Sequence, residues 1–274
     1  MFTSARKLFR SRLNWYFLAN IVLGYRDRVA DGTVTADSEL PTLPAINLQH
    51  PFLAPNRWRS DGDNAAAILV DFGASYTIGV IALLATNLTA AATFRLRLSA
   101  SSNLSSPTYD TGGAEISAGV DPDYGHLIHI LSAPAAGRYL GLNITDASLT
   151  ELEAGRLWAG TAFQPTRNYA WSAKRTTFDT TRLSPSEGGQ TWVDTGYIQD
   201  ELRLRFEALT DAEINGDIAA LRRLGRGKDI LAVLNPGSAN LGRDSLFGLI
   251  TENLSDEHAS PNRHVLDLVI LERK

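Results

Sequence analysis

Few residues in this 274-residue chain could carry chemistry, and their spacing mostly forbids it. His126 and His129 make an H-x-x-H within an alternating stretch that reads as a strand. Residues three apart on a strand face opposite ways, so the two imidazoles cannot share a metal ion. Asp121, Asp123 and His126 could form an oxygen-rich cation site in a loop, or simply a solvated turn. Asp61-Gly62-Asp63-Asn64 supplies the first ligands of a calcium loop, yet no bidentate Glu follows at EF-hand spacing. A Ca²⁺ ion near Asp61 to Asp63, held partly by backbone carbonyls, stays open. Ser238 sits in a turn without the G-x-S-x-G elbow. Gly225-Arg226-Gly227-Lys228 lacks the spacing of a phosphate loop. Carboxylates are plentiful, but nothing singles out a glycosidase pair. The sequence therefore assigns no catalytic, cofactor-binding or metal residue, and the expectation is a non-enzymatic protein without a cofactor. Binding is less easily dismissed. Trp58, Tyr109 and Tyr124 fall in or beside loops, where aromatic faces can stack on sugar rings. For Trp58, plugging a core is the favoured reading.

The elements that would position these residues centre on Trp58 to Ser99. Ile68, Val70 and Phe72 share one face of a first strand, and Ile78 to Ala85 is apolar on both faces. Phe94, Leu96 and Leu98 alternate with Thr93, Arg95 and Arg97 in a third. Turns are expected at Asp71 to Ser75 and at Thr86 to Thr89. A strand apolar on both faces needs cover on each, which implies a second layer and hence a β-sandwich. The Pro-rich stretch from Asp31 to Pro55 reads as a loop along the sandwich edge, with Leu43, Ile46, Leu48, Phe52 and Leu53 needing burial. Ala100 to Asp123 is a polar loop. Further strands are expected at His126 to Leu131, at Arg138 to Thr145, and at Glu151 to Ala159.

Composition sets outer limits. A formal charge of −4 gives no basic footprint for nucleic acid. With no cysteine, disulfides, thiolate metal sites and cysteine nucleophiles are excluded. Near the N-terminus, Arg6, Lys7, Arg10 and Arg12 precede an uncharged run from Leu13 to Tyr25. That run lacks a small-x-small cleavage site and is too short to span a bilayer. It reads as a structured segment with a strand at Ile21 to Leu23, without an export signal or membrane insertion.

Beyond Gln164 the pattern changes. Tyr169, Trp171 and a polar run from Thr176 to Gln190 lead into Glu201 to Glu207, where Leu202, Leu204 and Phe206 alternate with charged residues. Thr210 and Glu213 have capping-box spacing at the head of a helix whose stripe is Ile214, Ile218 and Leu221, joined by Leu224. Gly225 supplies the stop. Arg222, Arg223, Arg226 and Lys228 cluster at its C-terminal end, where the dipole favours cations and an acidic neighbour could dock. Strands follow at Ile230 to Leu234, Leu246 to Thr251 and Val265 to Leu271, with Asn235-Pro236-Gly237 as a turn.

The succession Trp58-Arg59-Ser60, ILVDFG (68–73), IGVIALLATNL (78–88), FRLRLSA (94–100) and RYLGLNIT (138–145) resembles a galactose-binding-like, discoidin-type jelly roll. The closing GRLWAG (155–160) with Pro165 is similar to the variant found in tail proteins of phages, and the second unit resembles the belt-forming part of distal-tail or tail-tip proteins. The implied fold is mainly β: a jelly-roll sandwich over 1–165 with its N-terminal segment, then a small α+β assembly domain over 166–274 with one clear helix. The resemblance implies a structural virion protein, assembled in the host cytoplasm. It would form a cyclic homo-oligomeric ring between the tail tube and the baseplate or tip. Its partners would be further copies, then tail-tube, tape-measure and tail-tip or hub proteins, with a host-surface glycan as a further candidate. The alternative is a carbohydrate-binding module attached to a cell-surface glycan.

Overall fold

The computed structural model describes residues 20–53 and 56–274, so Arg6 to Arg12, the start of the Leu13 run and Pro55 lie outside the described residues. The chain is mainly β, a sandwich continued by an α+β unit. Its first strands are β1 (Val22–Tyr25), β2 (Thr33–Ala36), β3 (Trp58–Arg59), β4 (Ala65–Leu84) and β5 (Thr93–Ser99). Two short strands, β6 (Tyr109–Asp110) and β7 (Ile116–Ser117), edge β5 inside the expected polar loop. Then come β8 (Leu127–Thr145), β9 (Glu153–Ala154) and β10 (Arg156–Phe163).

The turn expected at Asp71 to Ser75 is instead a bulge within the 20-residue β4, and the two strands expected at 126–131 and 138–145 are one. Asp71 pairs with Tyr139 and Tyr76 with Gly137, so β4 carries extra residues. Further along, Ile78 pairs with Ala135 and Val80 with Ile130, so β8 carries them. The two bulges cancel and the register is restored. Each has a local cause. Gly73 takes φ +78°, with its N–H donating to Asp71 Oδ1 at 2.8 Å, while Pro134 brings no N–H to the ladder. Beyond the bulges the pair closes over itself: Ile68, Val70, Leu140 and Leu142 share one core with Ile81, Leu83, Leu127 and Leu157.

That core covers one face of the second half of β4. The other face, Val80, Ala82 and Leu84, packs with Ile128 and Trp158 against Val22, Leu231, Val233 and Phe247. The second cover therefore comes from the α+β unit. Of the apolar residues of the Pro-rich stretch, Leu48 and Leu53 are buried, but Ile46 and Phe52 stay exposed, and β2 forms there as an unexpected edge strand.

The α+β unit holds β11 (Lys174–Asp179), β12 (Arg182–Pro185), β13 (Thr191–Asp194) and β14 (Ile198–Leu209), then a helix α1 over 211–224 with a π turn at Ile214–Ile218. It ends with β15 (Asp229–Val233), β16 (Ser245–Ile250), β17 (Asp256–Ser260) and β18 (Arg263–Glu272). The sheet order β11-β14-β18-β16-β15-β1-β10-β4-β8-β5 runs without a break from this unit into the sandwich. β1 bridges the two by pairing with both β10 and β15, and its Ile21 neighbour, Leu23 and Tyr25 belong to the second unit's core. The expected alternation of Leu202, Leu204 and Phe206 and the stripe of Ile214, Ile218 and Leu221 are all buried in that core.

The capping box forms as expected and does a second job. Glu213 accepts from the Thr210 N–H at 2.7 Å and from the Thr166 N–H at 2.6 Å, tying the helix to the segment leaving the sandwich. Burial pushes this carboxyl up, but the Thr166 and Thr210 donors outweigh it and hold it below its ordinary range. Glu213→Ala is expected to cost about 1–2 kcal/mol at pH 7, read as a lower urea midpoint. A lowered carboxyl stabilises above its unfolded value and loses that contribution in acid, so the difference should shrink towards pH 3.

Candidate functional site

The sequence-derived candidates resolve into structural roles. Trp58 is fully buried in the sandwich core, its Nε1–H donating to the Ser38 carbonyl at 3.2 Å, so it offers no sugar platform. The Tyr109 hydroxyl lies 2.6 Å from His129 Nε2, and that imidazole meets Phe94 edge-on, with burial lowering its pKa. Tyr124 alone of the three is exposed. Asp63 accepts from the Ser38 hydroxyl at 2.6 Å and its carbonyl from the Ser60 hydroxyl at 2.6 Å, while Asp61 is exposed. Asp121 does not meet His126; it receives the Asn240 amide and the Asp123 N–H, the latter at 3.0 Å. Of the basic helix end, Arg222 is taken by Asp256, while Arg223, Arg226 and Lys228 remain exposed.

His126 is held by the backbone on its Nδ1 side. The Ala85 N–H donates to Nδ1 at 3.2 Å, and the Gly125 carbonyl lies 3.0 Å from the same nitrogen. Burial is the main cause lowering its pKa. A depressed imidazole makes the unfolded chain bind more protons, so stability falls as pH drops below the ordinary histidine value of about 6.5. Melting temperature is expected to decline from pH 7 to pH 5, and His126→Gln should flatten the decline.

Between the sandwich and the α+β unit runs a crevice of about 700 Å³ flanked by Arg26, Arg28 and Lys228. At its floor Arg156, 3 % exposed, lies between Asp27 at 2.7 Å and Asp229 at 2.6 Å, and Arg273 closes on Asp229 from the other side. Burial pushes the Asp27 carboxyl up, and Arg156 with the Val29 and Ala159 N–H groups pulls it back. The cluster holds the seam together.

The surface with the strongest binding character is elsewhere, and the sequence reading passed over it as a polar lead-in. β11 and β14 form a ribbon whose base is pinned by Asp200, which accepts from Arg175 Nε and Thr177 Oγ1, both at 2.6 Å. The ribbon continues as β12 and β13, which pair only with each other. From Asp179 to Pro185 the arm extends roughly 20 Å at strand spacing. It exposes apolar side chains on both faces. Leu183 and Val193, directly paired, are 65 % and 60 % exposed, while Trp192, on the opposite face beside Arg182, Ser184 and Asp194, is 69 % exposed. Phe178, Tyr197 and Ile198 are exposed at its root. A two-stranded ribbon is marginal alone, and both its outer edges are unpaired. Contiguous exposed apolar surface of this kind marks an interaction site.

No protein-family model matches the sequence, and no curated relative matches it. Solved structures similar in fold include CpGH89CBM32-5 from Clostridium perfringens, in complex with GalNAc-β-1,3-galactose. It is 15% identical, with a TM-score of 0.40, over 50% of this chain and 100% of that one. Chitosan-binding module 1 from a chitosanase/glucanase of Paenibacillus sp. IK-5 is 19% identical, with a TM-score of 0.39, over 50% of this chain and 100% of its own. The family 32 carbohydrate-binding module of C. perfringens NanJ, in complex with galactose, is 13% identical, with a TM-score of 0.40, over 50% and 98%.

Proposed function

We propose that this chain is a structural assembly subunit that binds further copies of itself through the β12–β13 arm and displays its sandwich outward. The arm carries this reading, because a ribbon that exposes Leu183, Val193 and Trp192 and has two unpaired edges is stabilised by a partner that covers it. A second copy of the chain suits it. From Asp179 to Asp194 the arm holds one cation (Arg182) and three anions (Asp179, Glu187, Asp194), and the basic helix end of a second copy, Arg223, Arg226 and Lys228, offers a face of opposite charge. An arm docking on a different face of its neighbour is a heterologous contact, which closes into a ring when the rotation allows. The place we propose, a ring at the tail end of a phage, comes from the sequence resemblance alone.

A second reading, a carbohydrate-binding module, is favoured by Tyr124. This exposed aromatic lines a recess with Arg57 and His126 between the sandwich and the chain's last residues, Glu272 to Lys274, the ring-plus-polar mixture that sugar sites use. The solved modules named above were obtained with sugars or are named for chitosan; that is a property of those proteins. Light scattering and electron microscopy of the purified protein decide between the readings. Closed rings are the expected result. A monomer that binds defined sugars on a glycan array would replace the assembly reading with the second.

A further inference from the structure

We infer that Asp211, His258 and His264 form a binding site for a divalent transition-metal ion of the zinc type. His258 and His264 face each other across a tight hairpin, but Asp211 lies far upstream, so no single motif announces the three. The fold brings them together at the outer edge of the second unit, where β17 pairs with β18 and puts His258 directly opposite His264. The two rings stack at 4.6 Å with 8° between their planes. Asp211 arrives from the first turn of α1, and one ligand atom from each of the three lies within 4.8 Å of the others.

The surroundings of His264 carry the argument further. Its side chain is 12% exposed, with Nε2 2.8 Å from Asp211 Oδ1. On the other side Nδ1 lies 3.4 Å from Asp256 Oδ2, and Asp256 is held by Arg222. At 3.4 Å this is an approach and not a hydrogen bond, and the buried Nδ1 has no other partner; a slight closure onto Asp256 would supply the carboxylate that metal-bound histidines use behind the ring. Between Nε2 and Asp211 a proton now fills the place that a cation would take. Zinc bonds of about 2.0–2.1 Å to nitrogen and oxygen bring tetrahedral ligands to roughly 3.3 Å from one another. The stacked rings aim their lone pairs in parallel planes, so binding asks His258 to turn out of the stack, and its exposure leaves it room to do so. Two imidazoles and one carboxylate favour a transition metal over Ca²⁺ or Mg²⁺, and leave a fourth position for water. The ion would fasten the edge strand β17, which pairs only with β18, to the head of the helix.

The test is calorimetric titration of tag-free protein with ZnCl₂ at pH 7.5, alongside thermal melting. One saturable site is expected, with a raised melting temperature that EDTA reverses and that millimolar Mg²⁺ does not reproduce. Replacing His258→Ala or His264→Ala should abolish the saturable heat, and Asp256→Asn should weaken binding by about 10- to 100-fold. His258 is exposed, so its variant keeps the fold, which circular dichroism verifies, and it decides the matter should His264→Ala unfold. Absence of saturable binding in the native protein, or unchanged affinity in the His258→Ala variant, would overturn the site.

Discussion

Replacing Leu183→Ser and Trp192→Ser together is expected to turn an oligomer into a monomer without loosening the monomer itself. Both side chains point into solvent from opposite faces of the β12–β13 arm. Neither contributes to the sandwich core or to the core of the α+β unit. Exposed substitutions of this kind leave folding stability within about 0.5 kcal/mol. At an interface the same residues have a different weight. A buried tryptophan anchor is worth about 2 kcal/mol or more, which is roughly 30-fold in Kd at every contact of the assembly. Sedimentation velocity should show one slow boundary for the double variant and a faster one for the native chain at the same concentration. A native chain that sediments as a monomer at tens of micromolar would end the assembly reading.

The second large effect concerns the floor of the crevice. Arg156→Ala should destabilise the protein by about 3–5 kcal/mol, because it strips the cation from between two buried carboxylates. Asp229 keeps Arg273, whereas Asp27 is left with the N–H groups of Val29 and Ala159. The loss should therefore shrink in acid. Removing Arg156 pushes the Asp27 carboxyl further up, and a raised carboxyl weakens the fold only while it is charged. Its penalty disappears as pH falls towards the unfolded value near 3.9. Adding Asp27→Asn to Arg156→Ala should restore part of the stability at neutral pH, since the two sites share one network. Urea unfolding at pH 7 and pH 5 measures both terms.

What could be read from the sequence, and what could not, follows from how local each signal was. Leu202, Leu204 and Phe206, the Thr210–Glu213 box and the Ile214–Ile218–Leu221 stripe are short-range patterns, and each landed where expected. The two-sided apolar run Ile78 to Ala85 correctly demanded cover on both faces, but not that the second cover would be β15, β16 and β1. Asp71-Phe72-Gly73 carries the same residues in a bulge as in a hairpin turn, so the strand break was misplaced. β17 is nearly all polar and depends on β18 for its existence, which no periodicity reveals. The arm was missed because its apolar residues are diluted by Thr, Ser and Gly. Their exposure, rather than their number, makes them informative. In the Asp211–His258–His264 cluster the two histidines meet across a hairpin that no periodicity marks, and Asp211 joins them through tertiary folding.

β1 has a kinetic consequence. Leu23 pairs with Phe163 on one side and with Ala232 on the other, so the strand made early in synthesis must wait for both. Until the later partner leaves the ribosome, the greasy outer side of β10 has no lid, and a nascent chain in that state is prone to clump. Pairings this distant also slow the search for the native arrangement. Refolding from urea should accordingly be sluggish and improve on dilution. Truncation near residue 165 should give an insoluble product rather than a free-standing sandwich.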